Sequence, residues 1–360
     1  MAFKASQSIP KPLTGLLSNL LISTTSIARR LLFHPRLRLV LGLTVGAAIG
    51  LFMVRDMDWG SLSLAFADFP IRYALLSLLV FSVATAMRAY RWQVLFIGDK
   101  VPLHRLLLVQ NVGIGLNSIS PLRIVSEATQ FFILTLRYRV RGEEAAATLG
   151  VQRVLDFVIG AILLGVGLMV LPSLKGFATY VIGAAVLAVV SVLAVPAVIW
   201  FGSRSGLTHL HLLASTSSSL RGLTRARMKL TWSFLLTLGY WILLGVSAWV
   251  LAYGMNIDIS LLVATLLVIG TLTFVALVPS LPASVGTFEF AVFYLLTTIG
   301  VSDGDALGFA LVIHVILFMP PILIAIMVFA AWAVTGRSNP LPVTVDLLPA
   351  DPQPARPPLD

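Results

Sequence analysis

The sequence contains no cysteine, and this absence excludes disulfides, thiolate zinc sites, iron–sulfur clusters and cysteine nucleophiles. Charged residues are also scarce, at 11% of the 360 residues, whereas hydrophobic residues make up 58% and the mean hydropathy is +0.97. A soluble domain of this length needs far more charge to cover its surface. The composition therefore predicts an integral membrane protein.

Several uncharged runs reach the roughly 20 residues that an α-helix needs to cross the hydrocarbon core of a bilayer. From these runs and the residues beside them we predict long helices at 37–54, 71–97, 145–171, 177–201, 230–254 and 306–335. The basic stretch before the first helix is too long for a cleaved signal peptide, so that helix is expected to be a retained span.

Acidic residues are missing from the two most basic parts of the chain. Residues 1–38 carry six Lys and Arg, and residues 204–229 carry five, with no acid in either. This is the bias of cytoplasmic loops, so we interpret the net charge of +10 as a sign of membrane orientation and expect no nucleic-acid partner. Residues 1–36 are predicted to be a cytoplasmic basic segment and the proline-rich residues 337–360 a disordered cytoplasmic tail. The protein is then a multi-pass protein of the cell membrane with both termini in the cytoplasm.

Two apolar stretches are interrupted by residues that break helices. The stretch 103–138 contains Pro121, and the stretch 260–300 contains Pro282 and Gly286. Each is predicted to form a pair of short or re-entrant helices, with its backbone break at these residues.

The interruptions lie at matching places. Pro121 and Pro282 are 161 residues apart, and the same spacing separates Glu144 from Asp305, each of which opens a long helix. The charge bias orients the two halves oppositely. We therefore predict an all-α fold, a polytopic membrane helix bundle over 37–336 with two inverted pseudo-repeats, about 71–171 and 230–335, that contain broken or re-entrant helices. The alternative is a helix bundle without internal symmetry.

Charged side chains inside the apolar regions are the candidate functional residues. Each costs at least about 2.5–3.5 kcal/mol near the bilayer centre, so it is retained for function or is paired. The predicted substrate-binding residues are Arg88, Arg91, Arg123, Glu127, Arg153, Asp156 and Glu289.

Each of these residues also has a structural interpretation. Arg88 and Arg91 are alternatively interfacial anchors, and the spacing of Arg153 and Asp156 allows them to pair with each other. Arg123 could grip a phosphate or carboxylate beside the broken backbone. Alternatively, Arg123 and Glu127 have a structural role, in an ion pair that ties the re-entrant segment to a neighbouring helix.

The second half contains one isolated acid. Glu289 has no basic neighbour in sequence, so its partner must come from another helix, with Arg123 and Arg153 as the natural candidates. His314 is interpreted as a packed, hydrogen-bonded core residue rather than a proton relay.

The sequence offers little sign of a metal site or of a catalytic motif. The imidazoles of His209 and His211 would point to different helix faces, so we expect no metal site. The sequence has no P-loop, no G-x-S-x-G elbow and no HExxH helix, and we expect no cofactor and no catalytic residue of a common type. A transporter rather than an enzyme is the expectation.

Four segments together resemble the flippase-like membrane proteins homologous to the transmembrane domain of lysylphosphatidylglycerol synthase. They are 88–92 (RAYRW), 117–127 (NSISPLRIVSE), 152–156 (QRVLD) and 282–289 (PASVGTFE). The likeness spans about residues 70–335, and the chain departs from the family pattern at Val125-Ser126, Gln130, Gln152 and Ala283-Ser284.

The resemblance implies lipid translocation. The two oppositely oriented halves are expected to bring the charged side chains together in a hollow at mid-depth, through which an anionic or lipid-linked headgroup would move. In the best-known relatives the lipid is an aminoacylated phospholipid made by a fused synthase domain, and without such a domain after residue 340 this chain is expected not to make that lipid itself. Membrane lipids are the expected partners, together with a lipid-synthesis enzyme or a glycosyltransferase. A membrane-embedded transferase acting on a lipid-linked substrate and a non-transporting scaffold for such an enzyme are the alternatives.

Overall fold

A computed structural model describes residues 69–98, 100–119, 125–170, 176, 178–202, 211–277 and 282–334. The predictions for residues 1–36, 37–54 and 337–360 lie outside the described residues, as do those for Pro121, Arg123 and His209.

The described residues form ten α-helices and no strand, which confirms the all-α prediction. In chain order they are α1 (Ile71–Leu95), α2 (Leu103–Ile119), α3 (Val125–Phe132), α4 (Gly142–Val170), α5 (Ala178–Gly202), α6 (His211–Arg225), α7 (Arg227–Gly254), α8 (Leu261–Leu277), α9 (Thr287–Thr298) and α10 (Asp303–Val334). A π-helical turn, Ile133–Arg137, continues α3, and a short 3-10 helix, Pro282–Ser284, precedes α9.

Within this part of the chain, α1, α4, α5, α7 and α10 are long and apolar enough to cross a membrane. Their bounds match the predicted helices at 71–97, 145–171, 177–201, 230–254 and 306–335 to within a few residues. The chain is therefore a multi-pass membrane protein.

The helices α1 and α7 pack against each other in antiparallel orientation. Where the N-terminal part of α1 meets the C-terminal part of α7, the Ser77 hydroxyl donates to the Ser247 carbonyl at 2.7 Å and the Ser247 hydroxyl donates to the Ser77 carbonyl at 2.9 Å. At one end Lys229 Nζ donates to the Phe96 carbonyl at 2.6 Å. Small residues that allow this close approach and bridging hydroxyls are typical of helix contacts in membranes.

Two helical hairpins enter this framework from opposite ends. The helix α2 follows the C-terminal end of α1, and α8 follows that of α7; because α1 and α7 are antiparallel, the hairpins α2–α3 and α8–α9 begin at opposite ends of the bundle. The guanidinium of Arg105, in the first turn of α2, lies 5.1 Å from the ring of Tyr138, just after α3, so the first hairpin starts and ends at the same end. The predicted broken pairs at 103–138 and 260–300 are confirmed.

The second hairpin turns through a strained segment, which we call the hairpin tip and define as Pro282–Gly286. Ala283 and Ser284 have φ of 56° and 63°, in the left-handed region that L residues rarely adopt, and Gly286 has φ of 79°. This tip packs against α2 of the first hairpin. The regular helix is thus interrupted at Pro282–Gly286, where the sequence analysis placed the break.

Candidate functional site

A buried ion pair joins the first and fourth helices. Arg91 on α1 is completely buried and donates two hydrogen bonds to the Asp156 carboxylate on α4, at 2.6 and 2.9 Å. It also donates to Thr237 Oγ1 on α7 at 2.9 Å. The bidentate geometry is the strongest form of a guanidinium–carboxylate contact. Two predicted alternatives are therefore wrong, because Arg91 does not reach for the interface and Asp156 does not pair with Arg153.

Arg88 lies one turn before Arg91 but contacts no carboxylate among the described residues. Its guanidinium lies over the Tyr240 ring on α7, 5.4 Å from the centroid, and Nη1 is 3.5 Å from the Tyr240 hydroxyl. In the described part of the chain, Arg88 Nε is buried and has no hydrogen-bond partner. Its positive charge is thus held by an aromatic face rather than by an anion.

A second ion pair, between Arg153 on α4 and Glu127 on α3, ties the first hairpin to its neighbouring helix. The two side chains are 43% and 31% exposed, in contrast to the fully buried Arg91. The contact corresponds to the structural alternative for Glu127, an ion pair that ties this segment to a neighbouring helix, with Arg153 as the partner. The partial exposure leaves both side chains accessible to another molecule.

These five side chains form one group, the arginine cluster, which comprises Arg88, Arg91, Glu127, Arg153 and Asp156. Three guanidinium groups face two carboxylates. All three cations interact electrostatically with Asp156. Since charges interact strongly where water is scarce, this excess of positive charge favours an anionic ligand.

Glu289 lies in a separate group with His314, and no arginine among the described residues forms an ion pair with it. Its Oε1 is 2.5 Å from His314 Nδ1 on α10, and its Oε2 accepts a hydrogen bond from the Gly286 amide at 2.7 Å. The other ring nitrogen, Nε2, is 2.9 Å from the Ala283 carbonyl oxygen. The expected pairing of Glu289 with Arg153 is wrong, and Arg123, the other expected partner, lies outside the described residues. His314 is packed and hydrogen-bonded, as expected.

The sequence analysis missed Thr237, Tyr240 and the Ala283 carbonyl. Thr237 and Tyr240 lie three residues apart in the otherwise apolar run 234–246 of α7, so one helix face with two polar groups was a usable signal. The role of the Ala283 carbonyl depends on backbone geometry and carries no signal in the sequence.

A cavity of about 820 Å³ lies among α4, α5, α8 and α9, and neither Glu289 nor His314 lines it. Its lining is mainly apolar, and Asp258 is its only charged residue among those described. No member of the arginine cluster lines it. This cavity is therefore not the expected hollow at mid-depth, because the charged candidate residues do not line it.

Comparison with known families identifies one match. The family described as "Lysylphosphatidylglycerol synthase TM region" matches residues 39–325, which include the arginine cluster, both hairpins and the pair of Glu289 and His314. Comparison with curated proteins gave no match. Because the matched region covers most of the chain, the protein belongs to the family of lysylphosphatidylglycerol synthase transmembrane regions.

Proposed function

We propose that this protein is a lipid flippase or related transporter. Its substrate would be a lipid that carries an anionic headgroup, such as a phosphate. The observation that carries the proposal is the surplus positive charge of the arginine cluster. Arg91 and Asp156 neutralise each other, and Arg153 and Glu127 do the same. Among the described residues Arg88 is left without a carboxylate, and a phosphate would supply the missing negative charge.

The headgroup would enter at the exposed part of the cluster. Arg153 is 43% exposed and presents a planar fork of donors that matches the oxygens of a phosphate. Glu127 competes for the same guanidinium, so headgroup binding would exchange one anion for another at Arg153. Because Glu127 can displace the headgroup from Arg153, the lipid can bind and also be released, as a transporter requires.

Two inverted pseudo-repeats would place this site between halves that move relative to each other. The helix lengths support this proposal: a long helix, a 17-residue helix, a break, a short helix and a long helix occur in α1–α4 and again in α7–α10. The antiparallel contact of α1 and α7, the first helix of each half, also agrees with inversion.

The acid–base pairs give independent support for the repeats. Glu127 and Glu289 both lie in the first turn of the short helix after a break, 162 residues apart. Their partners Arg153 and His314 lie on the following long helix, 161 residues apart. Each half thus links its short helix to its next long helix through one acid–base pair at equivalent positions.

The charges at the bundle ends support an orientation in the cell membrane. The end at which α1 finishes and α7 begins carries Arg141, Arg221, Arg225, Arg227 and Lys229. The opposite end carries Asp258, Asp303 and Asp305. By the positive-inside bias the first end would face the cytoplasm, as would both termini.

A translocation assay with Arg88→Gln tests the proposal, because this change removes the surplus charge and leaves both ion pairs intact. In proteoliposomes with acyl-labelled phosphatidylglycerol, the parent protein should move the lipid between leaflets. Arg88→Gln should slow this movement about fivefold to tenfold, as expected for the loss of one charge near a bound anion. Quenching of the outer-leaflet label measures the rate.

Arg72→Gln is the matched control, since Arg72 is an exposed arginine of the same helix outside the cluster. It should behave as the parent protein does. Failure of the parent protein to move lipid faster than protein-free vesicles would contradict the proposal. Chemical analysis of the same vesicles separates the transferase alternative, because a transferase given its donor substrate produces a new lipid species.

A further inference from the structure

The contacts of His314 show that its pair with Glu289 holds an extra proton. Nδ1 faces the Glu289 carboxylate at 2.5 Å and Nε2 faces the Ala283 carbonyl at 2.9 Å, so both ring nitrogens meet oxygen atoms. A neutral imidazole has only one N–H and cannot donate to both. Since the carbonyl can only accept, a proton must lie between Nδ1 and Oε1, carried by either residue.

Loss of that proton would disrupt the contact. A lone pair on Nδ1 would then face a carboxylate at 2.5 Å, and the pair would carry an uncompensated negative charge. Its surroundings are apolar: the rings of Phe288 and Phe318 lie 4.9 and 4.6 Å from the His314 ring. A bare charge in such a place is costly, so the two side chains would separate or rehydrate.

No other charged group in the described residues offsets this charge by direct contact. The helix α8 has no titratable residue, and those of α2, His104 and Arg105, lie in its first turn, far from the break. On α1 and α7, the inward-facing Arg88, Arg91 and Tyr240 contact one another instead. The proton is therefore the charge-balancing species of the pair.

The pair also holds the hairpin tip. Glu289 accepts from the Gly286 amide and His314 binds the Ala283 carbonyl, so the two side chains hold both sides of the strained turn. Left-handed φ values at Ala283 and Ser284 persist only while the surrounding contacts enforce them. Release of either side chain would let this segment relax.

We propose that Glu289 and His314 form a proton-binding site that closes the hairpin tip when occupied and opens it when empty. The proposal deepens the transport function and rests on it for the consequence that lipid movement is coupled to protons. The equivalent pair in the first half contains Arg153, which stays charged, so only the second half would respond to pH. Proton release would thereby make the two halves behave differently.

The absence of native cysteine allows a direct test with the full-length protein in liposomes. Val285, 46% exposed at the tip, is replaced as Val285→Cys, and its labelling by a water-soluble maleimide is followed from about pH 5 to about pH 8, the range in which histidine is the side chain that ordinarily changes charge. Rates are divided by those of Ser260→Cys, an exposed position in the loop before α8, to remove the ionisation of the thiol itself.

The normalised rate should rise with pH by about tenfold or more, the effect of losing one charge-assisted hydrogen bond. In the Glu289→Gln background it should stay low at every pH. The glutamine amide can donate to Nδ1 while His314 Nε2 donates to Ala283, which imitates the protonated pair.

A flat profile in Val285→Cys would overturn the proposal, and so would an equal rise in the Glu289→Gln background, since the pH sensor would then lie elsewhere. If Glu289→Gln fails to fold, the profile of Val285→Cys against Ser260→Cys still decides whether the tip responds to pH. No lipid movement enters this measurement. A negative result therefore leaves the headgroup site at Arg88 and Arg153 intact.

Discussion

Asp156→Asn is expected to lower the free energy of unfolding by about 3–5 kcal/mol, because it leaves the buried guanidinium of Arg91 without its counter-charge. Arg91 is completely buried and shares two hydrogen bonds with Asp156. Asparagine preserves the shape of the side chain, so the decrease in the free energy of unfolding reports the removal of the charge rather than a change in packing. Unfolding of the purified protein in mixed micelles, followed by denaturant titration, gives the value.

Two further variants separate pairing from burial. Glu127→Gln breaks the partly exposed pair with Arg153, and its cost should stay below about 1 kcal/mol. The double variant Arg91→Met with Asp156→Leu replaces the buried pair by apolar side chains and should recover most of the lost stability. If Asp156→Asn is no less stable than Glu127→Gln, the pair of Arg91 and Asp156 is not the buried contact described above.

Arg153→Gln and Glu127→Gln are expected to change the affinity for an anionic lipid in opposite directions. Arg153→Gln removes the exposed guanidinium and should weaken binding of phosphatidylglycerol about tenfold to a hundredfold, the worth of a charge-assisted hydrogen bond. Glu127→Gln removes the competing carboxylate and should tighten it. Titration of the purified protein with phosphatidylglycerol, read by native mass spectrometry, measures both.

The double variant Arg153→Gln with Glu127→Gln is the control, because it keeps the net charge of the arginine cluster but lacks the Arg153 fork. Affinity close to that of Arg153→Gln would indicate direct contact with the headgroup. Affinity close to that of the parent protein would indicate that net charge alone attracts the lipid. If both single variants weaken binding equally, Glu127 does not compete with the headgroup.

The five long helices and both hairpins were predictable from the sequence because their signals are local, whereas α6 lies in the stretch that was interpreted as a basic loop. Apolar runs of spanning length predict α5, α7 and α10 with little ambiguity, and the interruptions around Pro282 and Gly286 predict the second hairpin. The candidate charged residues were also found, since a charge in an apolar run is conspicuous. What the sequence could not supply was the partner of each charge.

Partners depend on how helices face one another. Arg153 and Asp156 are three residues apart and could have paired on one helix face, but each instead reaches a different helix. Arg88 and Arg91 show the same effect, since their depth is set by the packing of α7 against α1. Sequence spacing does not determine such tertiary contacts.

The spacing of 161 residues between the two halves also relates the charged residues of one half to those of the other. Applied to Arg153, it leads to His314, and Glu127 leads to within one residue of Glu289. In the proposed repeats the two pairs would therefore occupy equivalent positions although their side chains differ. Because one base is arginine and the other histidine, the residue types alone give no hint of this correspondence.

The most direct measurement is an experimental structure of the full-length protein in nanodiscs that contain phosphatidylglycerol. We expect headgroup density beside the arginine cluster, with a phosphate oxygen within about 2.7–3.2 Å of an Arg153 or Arg88 nitrogen. Phosphates found only at the two ends of the bundle, with acyl chains covering Arg153 and Glu127, would contradict the proposal that this cluster receives a lipid headgroup.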